Sequence, residues 1–261
     1  MSKHQEKLVS KWAKVNGLPM HARISVNPLP DDTPAVVLVH GLSVSSGYMV
    51  PTAQYLAPYY RVYAPDLPGF GKSAKPSHIL NVTELADALA AWMQVMGLRT
   101  ATLVGNSLGC QIIVDFALRY PTSVERAVLV GPTMDPKARS IRHAALRLLQ
   151  DARCEPLSYM PVLLREYLAA GITRTLRTLQ YAFEDKIEEQ LPRVHIPMLV
   201  VRGSRDPIVP QDWATQVDYL LPDSQLILVQ GAGHAVNFNS PEELVRIVRA
   251  FMDEREALSI L

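Results

Sequence analysis

Six short apolar runs, rich in β-branched residues, recur along the chain, and segments with helical spacing separate them. The runs are 35–40, 60–66, 101–106, 126–131, 198–203 and 225–230. Most of them are apolar throughout, which is typical of strands that are buried on both faces of a parallel sheet. Alternation with helices is typical of a sheet that is covered on both sides. We therefore predict an α/β fold with a mostly parallel sheet flanked by helices.

A two-residue turn is indicated ahead of these runs. Asn16 and Gly17 stand between the segments "SKWAKV" and "MHARISV". The Asn-Gly dipeptide accepts the positive φ angles that such turns require. The pattern favours a β-hairpin that opens the sheet. The alternative is an amphipathic helix over residues 2–15, and the sequence leaves both possibilities open.

Two helices have recognisable ends. Apolar residues at helical spacing cover 81–96, and Gly97 follows at the position where a helix commonly stops. The last helix is predicted to begin after Ser240 as its N-cap, with Pro241 in the first helical position. Glu243 then supplies the second half of a capping box.

The strand pattern is interrupted once, from Pro132 to about Pro192, where a long and mostly helical stretch takes over. This pattern predicts a helical cap inserted after the sixth strand. With 261 residues, of which 48% are hydrophobic, the chain can form one large core. We expect one α/β core from residues 1–131 and 193–261, and a cap from residues 132–192.

Charge and cysteine content indicate little about the partners of this protein. The 26 basic and 25 acidic residues leave a net charge of +1, so the overall charge gives no case for binding nucleic acid or an anionic membrane. Cys110 and Cys154 are too few for a disulfide framework. No apolar stretch reaches membrane-spanning length, and the first residues lack the apolar run of a signal peptide. We therefore expect a cytoplasmic protein with no membrane span.

The segment Gly105–Gly109 reads Gly-Asn-Ser-Leu-Gly, which is the pattern G-x-S-x-G between a predicted strand and a predicted helix. A strand that ends at Asn106 and a helix that starts near Leu108 force Ser107 into a tight turn. That turn exposes the hydroxyl beside the unpaired N–H groups of a helix N-terminus. The alternative is a turn of small residues without chemistry.

A serine nucleophile needs an imidazole to accept its proton and a carboxylate to orient the imidazole. Asp206 follows the strand at 198–203, and His234 follows the strand at 225–230. Functional groups in open α/β sheets gather at these carboxyl ends. We therefore predict that Ser107, Asp206 and His234 meet at one crevice. Asp135 is a rival candidate for the acid.

The remaining reactive side chains are interpreted as structural. His40, at the end of its strand, is predicted to brace a loop by hydrogen bonding. Cys110 lies one turn into the helix after Ser107 and is expected to pack there. Weaker catalytic candidates are the five other histidines, His4, His21, His78, His143 and His195.

Five motifs together resemble the α/β-hydrolase superfamily. In chain order these are His40-Gly41-Leu42, "APDLPGFGKS" at 64–73, the segment Gly105–Gly109, the segment Gly203–Asp206, and Gly233-His234. Their order and approximate spacing match over nearly the whole chain outside the insertion. The resemblance implies the α/β-hydrolase fold. It also implies that Asp66, within the second motif, belongs to a turn that supports the site.

The resemblance assigns a role to each member of the site. It implies that Ser107 is the nucleophile, that His234 is the general base and then the general acid, and that Asp206 orients the histidine. The backbone N–H groups of Leu42 and Leu108 would form the oxyanion hole. Family members that open epoxides or displace halide carry aspartate where this chain has serine. The resemblance therefore implies an acyl-serine intermediate from an ester, thioester or lactone, with no metal or organic cofactor.

The substrate pocket is predicted less sharply. Candidate substrate-binding residues are Ser43, Tyr159, Met160 and Leu163, which would line an apolar acyl or aryl site. The apolar residues of the insertion have an alternative role, which is to pack the insertion itself. Seven arginines face three acidic residues there: Arg139, Arg142, Arg147, Arg153, Arg165, Arg174 and Arg177 against Asp151, Glu155 and Glu166. This excess would attract a carboxylate substrate or an anionic surface, or it reflects solvated helix faces.

Two other functions stay open at this point. The first is a carbon–carbon bond hydrolase of aromatic ring-cleavage products. The Gly-Asn-Ser sequence at the turn of Ser107 is similar to that group. The loop after His40-Gly41 lacks the Gly-Pro-Gly pattern expected in that group. The second is a ligand-binding protein on the hydrolase fold with slow or no turnover. The preferred prediction is a serine hydrolase of small or medium carboxylic esters.

Overall fold

In the computed structural model, residues 8–26, 29–155 and 160–258 are described, with side chains as far as residue 253. One sheet of eight strands forms the centre, in the order β1-β2-β4-β3-β5-β6-β7-β8. The strands are β1 Leu8–Val15, β2 Leu18–Ser25, β3 Ala35–Val39, β4 Arg61–Pro65, β5 Ala101–Asn106, β6 Val124–Val130, β7 Met198–Gly203 and β8 Ser224–Val229. The helices are α1 Ser46–Leu56, α2 Val82–Val95, α3 Leu108–Arg119, α4 Ile141–Asp151, α5 Met160–Ala170, α6 Ile172–Glu184, α7 Ile187–Gln190, α8 Gln211–Leu220, α9 Val236–Asn239 and α10 Pro241–Leu258.

The predicted hairpin is confirmed. Strands β1 and β2 pair antiparallel along their whole length, from Leu8 opposite Ser25 to Val15 opposite Leu18. Asn16 has φ of 49° and Gly17 has φ of 84°, as a primed two-residue turn requires. The alternative helix is wrong for residues 8–15, because those residues satisfy their backbone groups in the β ladder. Residues 2–7 lie outside the described part of the chain.

The six remaining strands are parallel to one another, and β2 joins them through an antiparallel pairing with β4. Strands β3, β5 and β7 are buried at every position, as predicted. Strand β8 differs, since most of its residues are only partly buried. It has β7 as its sole neighbour and forms an edge of the sheet. The expected α/β fold is thus confirmed.

Apolar clusters cover both faces of the sheet. Helix α2 begins with a complete capping box, in which Asn81 and Glu84 bond each other's backbone N–H groups. Helix α10 starts at Pro241, and the N–H of Leu244 donates to the carbonyl of Ser240. These ends fall where the sequence predicted them.

Four helices, α4 to α7, lie between β6 and β7 in the chain. The sequence predicts an insertion there, and its role as a cap over residues 132–192 stays a prediction. Within the described ranges, no helix is both long and apolar enough to cross a bilayer.

Candidate active site

Ser107 occupies a sharp turn between β5 and α3. Its φ of 57° and ψ of −120° lie outside the usual regions for a residue with a side chain. Its backbone N–H donates to the carbonyl of Val130 at 2.9 Å, and its carbonyl accepts from the N–H of Cys110. These bonds hold the strained backbone in place. The turn puts the side chain directly before the free N–H groups at the start of α3.

Two glycines allow this turn to form. A Cβ atom on Gly109 would lie 2.4 Å from the carbonyl oxygen of Val39, which belongs to the neighbouring strand β3. A Cβ on Gly105 would lie 2.7 Å from the backbone of Gly109. Backbone atoms cannot move aside as the end of a side chain can. The glycines at both ends of the motif are therefore required by close approach of α3 to the sheet.

Asp206 and His234 form a buried pair at the carboxyl ends of β7 and β8. The Oδ2 atom of Asp206 lies 2.8 Å from Nδ1 of His234. The Oδ1 atom accepts the backbone N–H groups of Ile208 and Val209, at 2.8 and 3.0 Å. The carboxylate is thus fixed by three hydrogen bonds, which hold the imidazole in one orientation.

The second ring nitrogen of His234 is free to act on a neighbour. Nε2 is buried and has no hydrogen-bond partner among the described residues, so no bond joins it to Ser107 Oγ in this structure. Catalytic serine–histidine contacts are often long before substrate binds. Both residues line one cavity.

Three carboxylates set the charge of His234. Burial opposes the imidazolium, but Asp206, Asp151 and Glu155 outweigh it and raise the His234 pKa to about 9. The Oδ1 atom of Asp151 accepts the backbone N–H of His234 at 3.3 Å. Burial raises the pKa of Asp151, and it raises that of Glu155 to about 7. The pair Asp206–His234 is therefore embedded in a cluster of negative charge.

Sequence reasoning missed Asp151 and Glu155 as parts of this site. Glu155 accepts the N–H of Ala235 through Oε1 at 2.8 Å and the side-chain amide of Asn239 through Oε2. Both acids come from α4 and the turn after it, about eighty residues before the histidine. Their only signal in the sequence is that they are two of the three acids in an arginine-rich stretch.

The predicted oxyanion residues Leu42 and Leu108 line the same cavity as Ser107. Asn106 lines this cavity too and joins three segments of the chain. Its amide donates to the carbonyls of Val130 and His234, each at 3.2 Å, and its Oδ1 accepts from the Tyr48 hydroxyl. This side chain ties the turn at Ser107 to the loop of His234.

The two motifs that were interpreted as structural make structural contacts. His40 Nε2 accepts the backbone N–H of Leu67 at 3.0 Å, and its Nδ1 is hydrogen-bonded to the carbonyl of Gly41. Asp66 accepts the N–H groups of Ser46 and Lys72. Burial opposes the charge of Asp66, yet hydrogen bonds lower its pKa to about 2.

The rival acid Asp135 is engaged elsewhere. It forms an ion pair with Arg147 at 2.8 Å and caps the short turn at residues 136–138. Cys110 is fully buried, its thiol contacts the carbonyls of Gly105 and Val130, and burial raises its pKa well above the usual value. Among the described residues, the His234 imidazole is hydrogen-bonded to Asp206 and to neither Asp135 nor Cys110.

Of the four predicted substrate-binding residues, one lines the cavity, two do not, and one is not described. Leu163 lines the cavity. Ser43 is buried, and its hydroxyl is hydrogen-bonded to Thr175 of α6 at 2.7 Å. Met160 is half-buried and is not among the described residues that line the cavity. Tyr159 lies outside the described residues. Sequence reasoning missed further lining residues on the insertion, among them Leu148, Tyr167 and Leu179. Tyr167 follows Leu163 by four residues, and this helical spacing was the available sequence signal that both side chains lie on one face of the helix.

The lining is chiefly apolar, with a few polar groups near Ser107. Such cavities bind small molecules through shape and a few directed contacts. Among the described residues, no cluster of three or more histidine, cysteine or carboxylate side chains is arranged to hold a metal ion. The arrangement offers a hydroxyl, an imidazole and helix N–H groups around one apolar space.

Two relatives of this chain have hydrolase names. It is 28% identical to the carboxylesterase YbfK of Bacillus subtilis, over 85% of this chain and 81% of that protein. It is 26% identical to the putative carbamate hydrolase RutD of Escherichia coli, over 90% and 99% of the two chains. A solved structure of 2-hydroxy-6-oxo-6-phenylhexa-2,4-dienoate hydrolase from Rhodococcus superposes with a TM-score of 0.77 at 22% identity, covering 95% of this chain and 99% of the other.

The family assignment rests on the greater part of the chain. The model of the alpha/beta hydrolase family matches residues 36–247, which include the turn at Ser107 and the pair Asp206–His234. The sheet order and the flanking helices agree with the fold of that family. This chain therefore belongs to the alpha/beta hydrolase family.

Proposed function

We propose that this protein is a serine hydrolase that cleaves carboxylic esters with apolar acyl or aryl groups through an acyl-serine intermediate. The observation that carries the proposal is the unpartnered Nε2 of His234, held by Asp206 and lining one cavity with Ser107. The carboxylesterase name of the relative from Bacillus subtilis supports the choice of esters.

The proposed reaction uses each group at a stated atom. Ser107 Oγ attacks the ester carbonyl and passes its proton to His234 Nε2, while Asp206 stabilises the imidazolium. The N–H groups of Leu42 and Leu108 hold the oxyanion, and one such donor contributes about a hundred- to a thousand-fold in rate. Collapse expels the alcohol, which takes the proton from His234. Water, activated by the same nitrogen, then releases the acid.

Residues 132–192 are proposed to act as a cap that shapes the acyl pocket. Leu148, Leu163 and Leu179 come from three different helices of the insertion and line the cavity that contains Ser107. Gln111, on α3, donates to the carbonyl of Ala182 and to Asp185, which anchors the end of α6 beside the proposed nucleophile. An apolar cavity lining of this kind favours hydrophobic acyl groups over charged ones.

The test is hydrolysis of a chain-length series of p-nitrophenyl esters by the wild type, Ser107→Ala and the control Ser10→Ala. Ser10 bonds a different histidine and lies outside the described cavity lining. We expect wild-type turnover of about one per second or faster. We expect a loss of at least about a thousand-fold in Ser107→Ala and a change below about twofold in Ser10→Ala.

If the wild type barely exceeds Ser107→Ala on every ester, ester hydrolysis is wrong. A p-nitrophenyl carbamate and a vinylogous diketone are then assayed beside the esters. Turnover of the carbamate would match the name of the Escherichia coli relative. Cleavage of the diketone would establish carbon–carbon bond hydrolysis. Tight binding without turnover would establish a ligand-binding protein.

A further inference from the structure

The inner and outer faces of helices α4, α5 and α6 differ sharply. Each helix turns one stripe inward, and side chains of all three inner stripes line the cavity, for example Leu148, Leu163 and Leu179. The opposite stripes therefore point away from the cavity. We call these opposite stripes, from residues 141–153, 161–172 and 173–180, the outer face.

The outer face exposes large apolar side chains. Leu149 is 66% exposed on α4, Leu168 is 74% exposed on α5, and Ile172 is 77% exposed at the start of α6. Other apolar side chains that are more than two-fifths exposed in this segment are Ile141, Leu146, Leu148, Leu164 and Leu176. A concentration of this kind marks an interaction surface, whereas single exposed leucines are ordinary.

The charges of the segment are sorted between the two faces. Its three acids, Asp151, Glu155 and Glu166, are 7–8% exposed and turn inward. Arg142, Arg153 and Arg177 are exposed, and no exposed carboxylate lies on residues 141–155 and 160–177. Arg165 pairs with the buried Glu166, and one guanidinium nitrogen of Arg174 is buried. On α4, Arg142, Leu146 and Leu149 follow one helical stripe, and Arg153 lies in the turn after the helix. Cationic and apolar side chains thus alternate on the outer face.

We propose that the outer face docks on an anionic lipid surface. Interfacial helices combine apolar side chains, which enter the acyl region, with arginines, which contact the headgroups. Charge argues against a second copy of this chain, since symmetric pairing would bring arginines against arginines. Leu148 is 41% exposed and also lines the cavity, so the docked face adjoins the entrance to the site. The surface is independent of the proposed chemistry at Ser107.

The test is co-sedimentation with vesicles of equal parts phosphatidylcholine and phosphatidylglycerol, and with vesicles of phosphatidylcholine alone. We expect binding to the anionic vesicles that weakens at about 0.5 M salt. Leu149→Ser/Leu168→Ser should weaken it at least about tenfold, and Arg142→Gln/Arg153→Gln about tenfold. The control, Tyr219→Ser/Arg99→Gln, changes an exposed tyrosine and an exposed arginine on other elements and should bind as the wild type does.

Circular dichroism and ester turnover in free solution show whether each variant is folded. The Ser107→Ala protein is included and should bind vesicles as well as the wild type, which separates this proposal from the proposed function. Absence of binding to anionic vesicles would overturn the proposal. Equal loss in the control variant would overturn it as well. A concentration-dependent dimer that only the leucine variant loses, without vesicle binding, would identify a self-association surface instead.

Discussion

The molecule contains two sets of serine, histidine and aspartate, and we propose a chemical role for only one of them. In the hairpin, Ser10 Oγ lies 2.9 Å from His21 Nε2, and His21 Nδ1 lies 2.8 Å from Asp66. At the carboxyl edge of the sheet, the same 2.8 Å contact joins His234 to Asp206. The hairpin set has the complete chain of side-chain hydrogen bonds, whereas in the edge set Ser107 is not bonded to His234.

The surroundings differ in three ways. Ser10 lies within a paired β-strand, opposite Arg23, whereas a helix follows Ser107 directly in the chain. Asp66 is occupied by the N–H groups of Ser46 and Lys72, so it fastens a loop. Ser107, by contrast, precedes a helix and opens into a cavity. A hydrogen-bonded triad is therefore insufficient for catalysis, because the oxyanion needs donors and the substrate needs space.

The largest expected difference comes from removing each histidine. His234→Ala should lower kcat/KM for p-nitrophenyl esters by at least about ten-thousand-fold, because the proposed base is lost. His21→Ala should leave kcat/KM within about threefold. It should cost about 2 to 4 kcal/mol of unfolding free energy, because a buried ring is lost and Asp66 loses a partner. Ester kinetics and urea unfolding of both variants measure the contrast, and similar activity losses would contradict it.

A second contrast concerns the two tight turns that carry these sets. Gly109→Ala places a Cβ 2.4 Å from a backbone oxygen, and we expect a loss of about 3 kcal/mol or more. Gly17→Ala meets no atom within 4 Å, but its φ of 84° is strained for alanine. We expect about 1 kcal/mol there. Urea unfolding gives both values, and a larger loss at the hairpin would reverse our interpretation of the elbow.

The smallest expected change in activity concerns the two additional carboxylates near His234, Asp151 and Glu155. The hydrogen bonds of His21 include Asp66 as its one carboxylate partner among the described residues. Glu155→Gln keeps an acceptor for the N–H of Ala235 and removes a charge that raises the His234 pKa. The proposed base works unprotonated, so activity rises with pH through the His234 pKa. The variant should shift this rise to lower pH and increase kcat/KM about two- to fivefold near pH 8.

The check is a pH profile of kcat/KM between about pH 6 and 10. Glu243→Gln is the control, because that side chain is exposed and pairs with Arg246 on the last helix. An unchanged acid limb in Glu155→Gln would show that this carboxylate does not act on the base. A profile that moves to higher pH would contradict the sign of the interaction.

Local patterns were sufficient for the elements that hold the proposed site. The Asn16-Gly17 turn, the buried strands and the turn at Ser107 depend on positive φ, periodicity and backbone crowding within a few residues. Strand β8 was predicted less well, because burial depends on how many neighbours a strand has. The pocket residues were predicted least well, with Leu163 on the cavity and Ser43 bonded to Thr175.

The sequence by itself determined the fold class, the elbow and the order in which Ser107, Asp206 and His234 follow their strands, because strand ends are local and parallel strands share one edge. Only the tertiary structure decided that Asp151 and Glu155 reach the loop of His234, and that His21 pairs with Asp66. It also decided which side of α4 to α6 faces water. These contacts join segments that are distant in the chain, and helix packing selects them.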